Sequence, residues 1–332
     1  MKRVSIKQVA EKAGVSTALV SYILNNRHMD RISKETAEKV KIIAKELNYQ
    51  PSRIAQSLKS NKTNIFALLV ADINNFTTSR FINLVEEEAR KKGHVLIIGS
   101  AEESLDKLEQ QINFFKEYQV DGFIIEPVQG SEKIIQDLLS RQIPVVLINR
   151  FFKEINIPVM AVNNYGVSYQ ATTYSVQQGK KNIGFLIDKT ELESQQEKLE
   201  GYKKALEENG ISLSSQNLKF CSNDQEVDKA IEELFFNDTI PDALFFSTSK
   251  LAVFGLRKLS KINTRVLSEI NILVFDESEI FDLFKVSVVQ VRQPLQEIAE
   301  GAVETLLKIN EDKNFTSRHR IYNAKIVLKK SH

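Results

Sequence analysis

The 332-residue sequence contains little cysteine and no long apolar segment. A single cysteine, Cys221, excludes an internal disulfide and a cysteine-rich metal site, which agrees with a reducing compartment. No apolar run approaches the ~20 residues of a membrane span. The first residues, MKRVSIKQVAEKAG, hold no apolar stretch of signal-peptide length. We therefore expect a cytoplasmic protein without a membrane partner.

The sequence also lacks the motifs of common enzymes. Its four histidines are scattered, and no His-Glu-x-x-His occurs. The 12 glycines form neither a Gly-x-Gly nor a Gly-x-x-x-x-Gly-Lys phosphate loop. Cys221 ends an apolar run and is expected to be a small core residue rather than a nucleophile. We expect no catalytic residue, cofactor or metal.

Charge is distributed unevenly along a chain of otherwise average composition. Residues 1–62 contain 13 Lys+Arg and 5 Asp+Glu, a net charge of +8, whereas the remaining 270 residues contain 32 and 38, a net charge of −6. A small basic head therefore precedes a larger acidic body. Such asymmetry favours a polyanionic partner for the head, because neutralised phosphates release condensed counterions. A basic face that is merely solvated is the alternative.

Three short helices are predicted in the head. Ser5 and Gln8 form a capping box before a helix that runs to about Lys12, and Gly14 suits a sharp turn with positive φ. Ser16 caps a second helix from Thr17 to Leu24. A third helix follows a cap at Ser33, and its apolar positions recur at helical spacing: Ala37, Val40, Ile43, Ala44 and Leu47.

The spacing of Ala10, Gly14 and Val20 is that of a helix-turn-helix, whose second helix enters the major groove of DNA. The N-terminal residues of that helix are expected to face base edges, namely Thr17, Ala18 and, one turn later, Tyr22. Flanking polar residues are expected to contact DNA phosphates, namely Ser16, Ser21, Asn25 and Asn26, and Ser5 is a further expected DNA-binding residue. The alternative for these polar residues is a purely structural role as caps or helix ends.

These segments resemble the lactose-repressor (LacI/GalR) family of bacterial transcription regulators. The resemblance is carried by VSIKQVAEKAGVSTALVSYILNN, RISKETAEKV, LNYQPSRIAQSLKS and TNIFALLVADINN, and it continues more weakly to the end of the chain. It implies a homodimer that binds a roughly palindromic double-stranded operator, most often as a repressor, and is switched by a small-molecule effector. Three alternatives stay open: control by a protein partner, a body independent of any effector, and a soluble sugar-binding protein or enzyme.

The resemblance also assigns a role to the segment PSRIAQSLK, residues 51–59. It implies a hinge helix that orders on the operator, pairs with its dimer mate and inserts Leu58 into a minor-groove base step, with Ala55 and Lys59 beside the DNA. A linker helix with Leu58 packed on the body is the alternative. The expected domains are a helix-turn-helix head at 1–49, a hinge at 50–61 and an effector-binding and dimerisation body at 62–332.

Short apolar runs rich in branched residues alternate with helical stretches through the body, which predicts parallel strands with helical crossovers. Two doubly wound units result, roughly 64–162 and 163–290, followed by a helix after Pro294 and a final strand near 321–328. The resemblance implies a periplasmic-binding-protein type I fold. Lobe 1 then comprises about 62–162 and 292–322, and lobe 2 about 163–291 and 323–332.

A cleft between the lobes is the expected effector site, because ligands of open α/β sheets bind beyond the carboxyl ends of the strands. The resemblance implies that Asp276 binds effector hydroxyls, and the candidate set is Asn75, Phe76, Asn149, Arg150, Asn164, Lys198, Ser249, Asp276 and Gln293. Several depart from the family pattern: Asn149 and Asn163 replace Asp, and Lys198 replaces Arg. We expect a sugar or related effector bound in an uncommon way, while lost effector binding and ordinary surface polarity stay open.

Overall fold

A computed structural model of the chain describes residues 4–49, 62–236, 240–262, 269–284, 286–312, 315 and 319–329. The chain divides into two compact units, Met1–Thr63 and Asn64–His332. Within the described ranges, no helix is long and apolar enough to cross a membrane. The predicted hinge residues Ala55, Leu58 and Lys59 lie outside the described residues.

The first unit contains helices α1 (Ile6–Ala13), α2 (Thr17–Leu24) and α3 (Lys34–Glu46). The predicted caps are present: the Ser5 amide donates to Gln8 Oε1 at 2.8 Å, and Ser16 Oγ accepts from the Leu19 amide at 3.2 Å. Gly14 ends α1 with φ at +71°, the left-handed conformation that the turn requires. The three helices enclose a small core of Val9, Ala10, Ala13, Val20, Ile23, Ala37, Val40, Ile43 and Ala44.

The second unit alternates strands and helices. Its strands are β1 (Ile65–Val70), β2 (Val95–Ser100), β3 (Gly122–Ile125), β4 (Val145–Ile148), β5 (Val159–Val162), β6 (Ile183–Asp188), β7 (Leu218–Cys221), β8 (Ala243–Phe246), β9 (Asn271–Val274), β10 (Val288–Arg292), β11 (Arg320–Tyr322) and β12 (Lys325–Lys329). Its helices are α4 (Thr78–Lys91), α5 (Leu105–Glu117), α6 (Glu132–Ser140), α7 (Asn164–Gln177), α8 (Glu193–Glu208), α9 (Asp224–Phe235), α10 (Ser249–Ile262) and α11 (Leu295–Glu311).

Two six-stranded sheets define two lobes. Lobe 1 has the parallel order β11-β5-β4-β3-β1-β2, and lobe 2 has the order β12-β10-β9-β8-β6-β7, in which only β12 is antiparallel to its neighbour. The chain passes between the lobes after β5, after β10 and after β11. The predicted fold class, a helix-turn-helix head with two doubly wound lobes, is confirmed.

The prediction of one final strand near 321–328 is wrong. Two strands occupy this stretch, and they belong to different sheets: β11 pairs with β5 of lobe 1, and β12 pairs with β10 of lobe 2. Asn323 and Ala324 separate them, because the chain passes from one lobe to the other at this point. The pattern of apolar residues in the sequence does not indicate that the strand is interrupted where the chain passes between the lobes.

Each sheet is covered by helices on both faces, so its strands are apolar on both sides. In lobe 2, α7 and α8 lie unusually close together. A Cβ on Gly201 of α8 would lie only 2.3 Å from the Tyr165 carbonyl oxygen of α7. This close approach fixes the start of α8, which carries Ser194, Gln195 and Lys198 toward the cleft between the lobes.

Candidate functional site

The first candidate surface is the outer face of α2 in the first unit. Thr17 and Ala18 are exposed, and the Tyr22 side chain is 36% exposed, whereas Val20 and Ile23 of the same helix are fully buried. The Tyr22 ring contacts the His28 ring edge to face, with centroids 5.0 Å apart. The predicted base-reading residues therefore share one accessible face of the helix.

Several of the other predicted DNA-contacting residues of this unit also bond within the protein. Ser16 caps α2, and Asn25 Nδ2 donates to the Ser21 carbonyl oxygen at 2.7 Å. Asn26 is exposed with φ at +52°, and Ser5 is exposed at the start of α1. The contacts of these residues with DNA stay predictions.

The second candidate site is a cavity between the two lobes, of about 70 Å³, at the carboxyl ends of their strands. Seven of the nine predicted effector residues line it: Asn75, Asn149, Arg150, Asn164, Lys198, Asp276 and Gln293. Two do not line it: Phe76 is 40% exposed, and Ser249 is buried. We refer to this space as the cleft cavity.

Asp276 is a buried hydrogen-bond acceptor on the lobe 2 side of the cleft cavity. Its Oδ2 accepts from the Ser249 amide at 2.9 Å, and its Oδ1 accepts from Gln293 Nε2 at 2.7 Å. Gln293 follows β10, where the chain crosses between lobes. The carboxylate is thus held in place by the start of α10 and by one interlobe crossing.

Lys198 is the buried cation of the cleft cavity. Its Nζ donates to the Ser247 carbonyl oxygen at 3.0 Å and lies 3.8 Å from the centroid of the Phe275 ring. Burial lowers the pKa of Lys198 to about 8, although the charges of Asp276 and Asp188 oppose this change. Lys198 therefore gives up its proton more readily than an exposed lysine does.

The Arg150 guanidinium has hydrogen-bond partners within the protein. Its Nη1 and Nη2 donate to the two carboxylate oxygens of Glu103 at 2.8 and 2.6 Å, and Nη1 also donates to the Pro127 carbonyl oxygen at 3.3 Å. Burial acts to lower the pKa of Arg150, but the hydrogen bonds to Glu103 and the charge of Glu126 outweigh it and raise that pKa. Glu103 was not predicted from the sequence, because its role depends on the meeting of two loops that follow different strands.

Two amide side chains of the cavity each face a carboxylate. Asn149 Nδ2 donates to Glu126 Oε1 at 3.1 Å, and Gln195 Nε2 donates to Asp188 Oδ2 at 3.3 Å. Burial raises the pKa of Asp188 to about 6, against the charges of Lys198 and Arg150. Gln195 was missed by sequence reasoning, although its position three residues before Lys198 on a helix was a usable signal.

Side chains of the two lobes also bond to each other across the cleft. Lys250 Nζ of lobe 2 lies 2.8 Å from Asp72 Oδ2 of lobe 1, and Ser249 Oγ donates to Asn75 Oδ1 at 3.1 Å. Leu192, which follows β6 of lobe 2, is buried in the core of lobe 1. The lobes are therefore in direct contact around the cavity.

Among the described residues, no three or more His, Cys, Asp or Glu side chains are grouped so that they could hold a metal ion. The two acidic residues that line the cleft cavity have other partners: Glu126 faces Arg150 and accepts from Asn149, and Asp276 accepts from Gln293 and the Ser249 amide. The polar side chains of the lining are suited to hydrogen bonding with a small molecule.

Comparison with known protein families identifies both units. The family model described as bacterial regulatory proteins, lacI family, matches residues 5–52. The model described as periplasmic binding proteins and sugar binding domain of LacI family matches residues 65–322. The second match alone spans most of the chain.

Curated relatives match along nearly the whole length. A ribose operon repressor of Haemophilus influenzae is 29% identical over 329 residues, covering 98% of each chain. An HTH-type transcriptional repressor PurR of Photobacterium profundum is 28% identical over 332 residues, again covering 98% of each.

Solved structures share the fold. A lac repressor dimer bound to operator and the anti-inducer ONPF superposes with a TM-score of 0.85 at 19% identity, covering 98% of each chain. A complex of the transcriptional regulator CelR with cellobiose gives a TM-score of 0.72 at 20% identity, covering 99% of this chain and 100% of the other. With both units matched by their family models, the chain belongs to the lacI family of bacterial regulatory proteins, which are DNA-binding transcription regulators and not enzymes.

Proposed function

We propose that the protein is a transcriptional repressor that binds a roughly palindromic operator as a homodimer, in the cytoplasm, and is switched by a sugar-like effector in the cleft cavity. The observation that carries this proposal is the cleft cavity, in which seven polar or charged side chains predicted from the sequence converge at the carboxyl ends of two sheets. A ribose operon repressor is among its relatives, and a regulator complexed with cellobiose shares its fold. The first supports repression as the mode of regulation, and both support a sugar as the ligand class.

The DNA contact is proposed to be made by α2. Its exposed Thr17, Ala18 and Tyr22 have the geometry of a recognition helix whose N-terminal part reads base edges. The polar residues around it, Ser5, Ser16, Ser21, Asn25 and Asn26, are proposed to contact phosphates and fix the register. In the hinge, Ala55, Leu58 and Lys59 keep the roles that the family resemblance implies.

Dimerisation is proposed through the body. One edge strand of lobe 1 is β2, and one edge strand of lobe 2 is β7. Neither has a second neighbour among the described strands. Hydrophobic side chains on these strands, on α5 beside β2 and at the residue that follows α5 are 42 to 56% exposed: Val95, Ile98, Phe114, Tyr118 and Phe220. A second copy would bury this surface, and a two-fold dimer suits two half-sites one helical turn or a multiple of a turn apart.

The switch is proposed to act through lobe closure. An effector that favours one arrangement of the lobes shifts the equilibrium by its difference in affinity for the two arrangements. The contacts between Lys250 and Asp72 and between Ser249 and Asn75 join the lobes at the mouth of the cleft cavity. We propose that their rearrangement is transmitted to DNA through residues 50–61.

A second candidate is a DNA-binding regulator whose body needs no small molecule. The same interlobe contacts favour it, since the lobes already meet through their own side chains and Leu192 is buried in the opposite lobe. In that case the protein would bind its operator with one affinity, or would respond to a protein partner.

Selection from random duplexes with the full-length chain tests the proposed function. We expect a palindromic consensus of two half-sites, and we expect one class of sugar in a panel to change the affinity for that consensus. Failure to enrich any duplex would contradict the proposed DNA-binding role. Enrichment with no response to the panel would favour the second candidate.

A further inference from the structure

The side-chain amides of Asn149 and Gln195, which line the cleft cavity, have the same orientation relative to a neighbouring carboxylate. Asn149 donates its Nδ2 to Glu126, and Gln195 donates its Nε2 to Asp188. A carboxylate only accepts hydrogen bonds, so each amide must turn its NH₂ group to the acid and its carbonyl oxygen away. Both carbonyl oxygens are buried, and neither accepts a hydrogen bond from the described residues.

Glu126, the acid that orients Asn149, is itself held in place, since its Oε2 accepts from the Ala71 amide at 3.2 Å. The backbone of Asp188, the acid that orients Gln195, is anchored where its N–H donates to Ser247 Oγ at 3.0 Å. Gln195 is only 5% exposed, so its amide has little room to turn. Reversing it would bring its carbonyl oxygen against the Asp188 carboxylate. The two acceptors are therefore fixed before any ligand arrives.

The charges around the cavity disfavour an anion. Both terminal nitrogens of Arg150 donate to the carboxylate of Glu103. This pair of donors is therefore not available to bind a phosphate or carboxylate group of a ligand. The remaining cation of the lining, Lys198, is opposed by the carboxylates of Asp276 and Asp188. A buried acceptor without a donor is costly, so a ligand gains most by donating hydrogen bonds.

We propose that Gln195 is a specificity residue of the cleft cavity and Asp188 its positioning residue. Together with Asn149 they select uncharged ligands that donate hydroxyl hydrogen bonds, and they reject the phosphorylated or carboxylate forms of the same molecules. This rests on the effector role proposed above, since it names the chemistry that the same cavity recognises.

The test uses the full-length chain and matched ligands. Thermal shift and calorimetry are run with ribose and ribose 5-phosphate, glucose and glucose 6-phosphate, and cellobiose and cellobionate. We expect only uncharged members to bind. An anionic member that binds as tightly as its uncharged partner overturns this inference and leaves the effector role standing. If no member binds, the sugar-effector role fails and the inference fails with it.

Substitutions then test the two residues. Gln195→Met removes the acceptor at similar volume and is expected to weaken binding of the uncharged ligand about tenfold. Gln196→Met is the matched control, because Gln196 is exposed on the same helix and its Nε2 bonds to the Glu191 carbonyl oxygen. Unchanged affinity in Gln195→Met would contradict the assignment.

Asp188→Asn tests the positioning role. An asparagine can bond the Gln195 amide in either orientation, so we expect weaker binding and no additional loss when Gln195→Met is combined with it. The wild-type affinity should also fall as the pH is lowered through about 6, where Asp188 gains a proton, and this fall should be absent in Asp188→Asn. Additive losses, or the same pH profile in both proteins, would overturn the role.

The groups that face Asp188 bear on that pH profile. They are Lys198, Arg150, Lys250 and Glu103, with Gln195 bonded directly to it. Lys198 and Arg150 keep their charge as the pH falls from 7 to 5, because their pKa values lie above this range. Comparison with Asp188→Asn removes the contribution of every group other than Asp188.

Discussion

Lys250 Nζ lies 2.8 Å from Asp72 Oδ2, and this ion pair joins lobe 2 to lobe 1 at the mouth of the cleft cavity. Burial raises the pKa of Asp72, but the hydrogen bond and charge of Lys250 and the bonds from Asn74 outweigh it and lower that pKa below its ordinary value. A carboxylate with a lowered pKa stabilises the folded state at every pH above its ordinary pKa.

Lys250→Met should therefore destabilise the protein by about 1 kcal/mol or less at pH 7, since Lys250 is partly exposed. The difference should be the same at pH 5, because Asp72 loses its contribution only as the pH falls below about 4. Urea unfolding of both proteins at both pH values measures this difference in the free energy of unfolding. Lys261→Met, exposed on the same helix, is the control. A difference that vanishes at pH 5 would contradict the assigned pair.

Gly201→Ala should disturb the whole start of α8. The added Cβ would lie 2.3 Å from the Tyr165 carbonyl oxygen, and backbone cannot yield as a flexible side chain can. We expect a loss of about 2–4 kcal/mol in the free energy of unfolding. Thermal and urea unfolding measure it, with Glu200→Ala, an exposed neighbour, as the control. A loss as small as that of the control would show that α7 and α8 separate easily.

The head and the strand ends could be predicted from the sequence because their signals are local. The spacing of Ala10, Gly14 and Val20 fixes a helix crossing within eleven residues, and Asn149 and Asp276 each follow a buried strand. Other features depend on how distant segments meet. The pairing of Glu103 with Arg150 joins loops after different strands, and the orientation of Gln195 depends on the rotation of α8 against β6.

Tyr22→Ala tests base reading by α2. The variant should lose discrimination between the selected operator and its base-substituted versions by about 1–3 kcal/mol at one position. Binding to unrelated duplex should change little, because phosphate contacts supply it. Fluorescence anisotropy at fixed salt measures both affinities. Equal weakening on every sequence would show that Tyr22 does not read bases.

Leu58→Ala tests the predicted hinge wedge, which lies outside the described residues. An apolar wedge unstacks a base step and bends the duplex, so its loss should weaken operator binding and reduce bending. The fold should be unaffected, as judged by thermal unfolding of the DNA-free protein. Operator affinity and gel mobility of a circularly permuted operator are the measurements. If both match the wild type, the wedge assignment fails.

Lys198→Met tests the buried cation of the cleft cavity through stability. Burial lowers the pKa of Lys198 from 10.5 to about 8, so the unfolded chain holds this proton over a range where the folded chain has lost it. Wild-type stability should therefore rise relative to that of the variant as the pH increases from 8 toward 10.5, by on the order of 2–3 kcal/mol. Urea unfolding of both proteins at pH 8 and pH 10 isolates this contribution, because the other lysines and tyrosines titrate alike in the two. A constant difference between them would mean that Lys198 keeps its ordinary pKa, and that solvent reaches the cavity wall formed by Ser247 and Phe275.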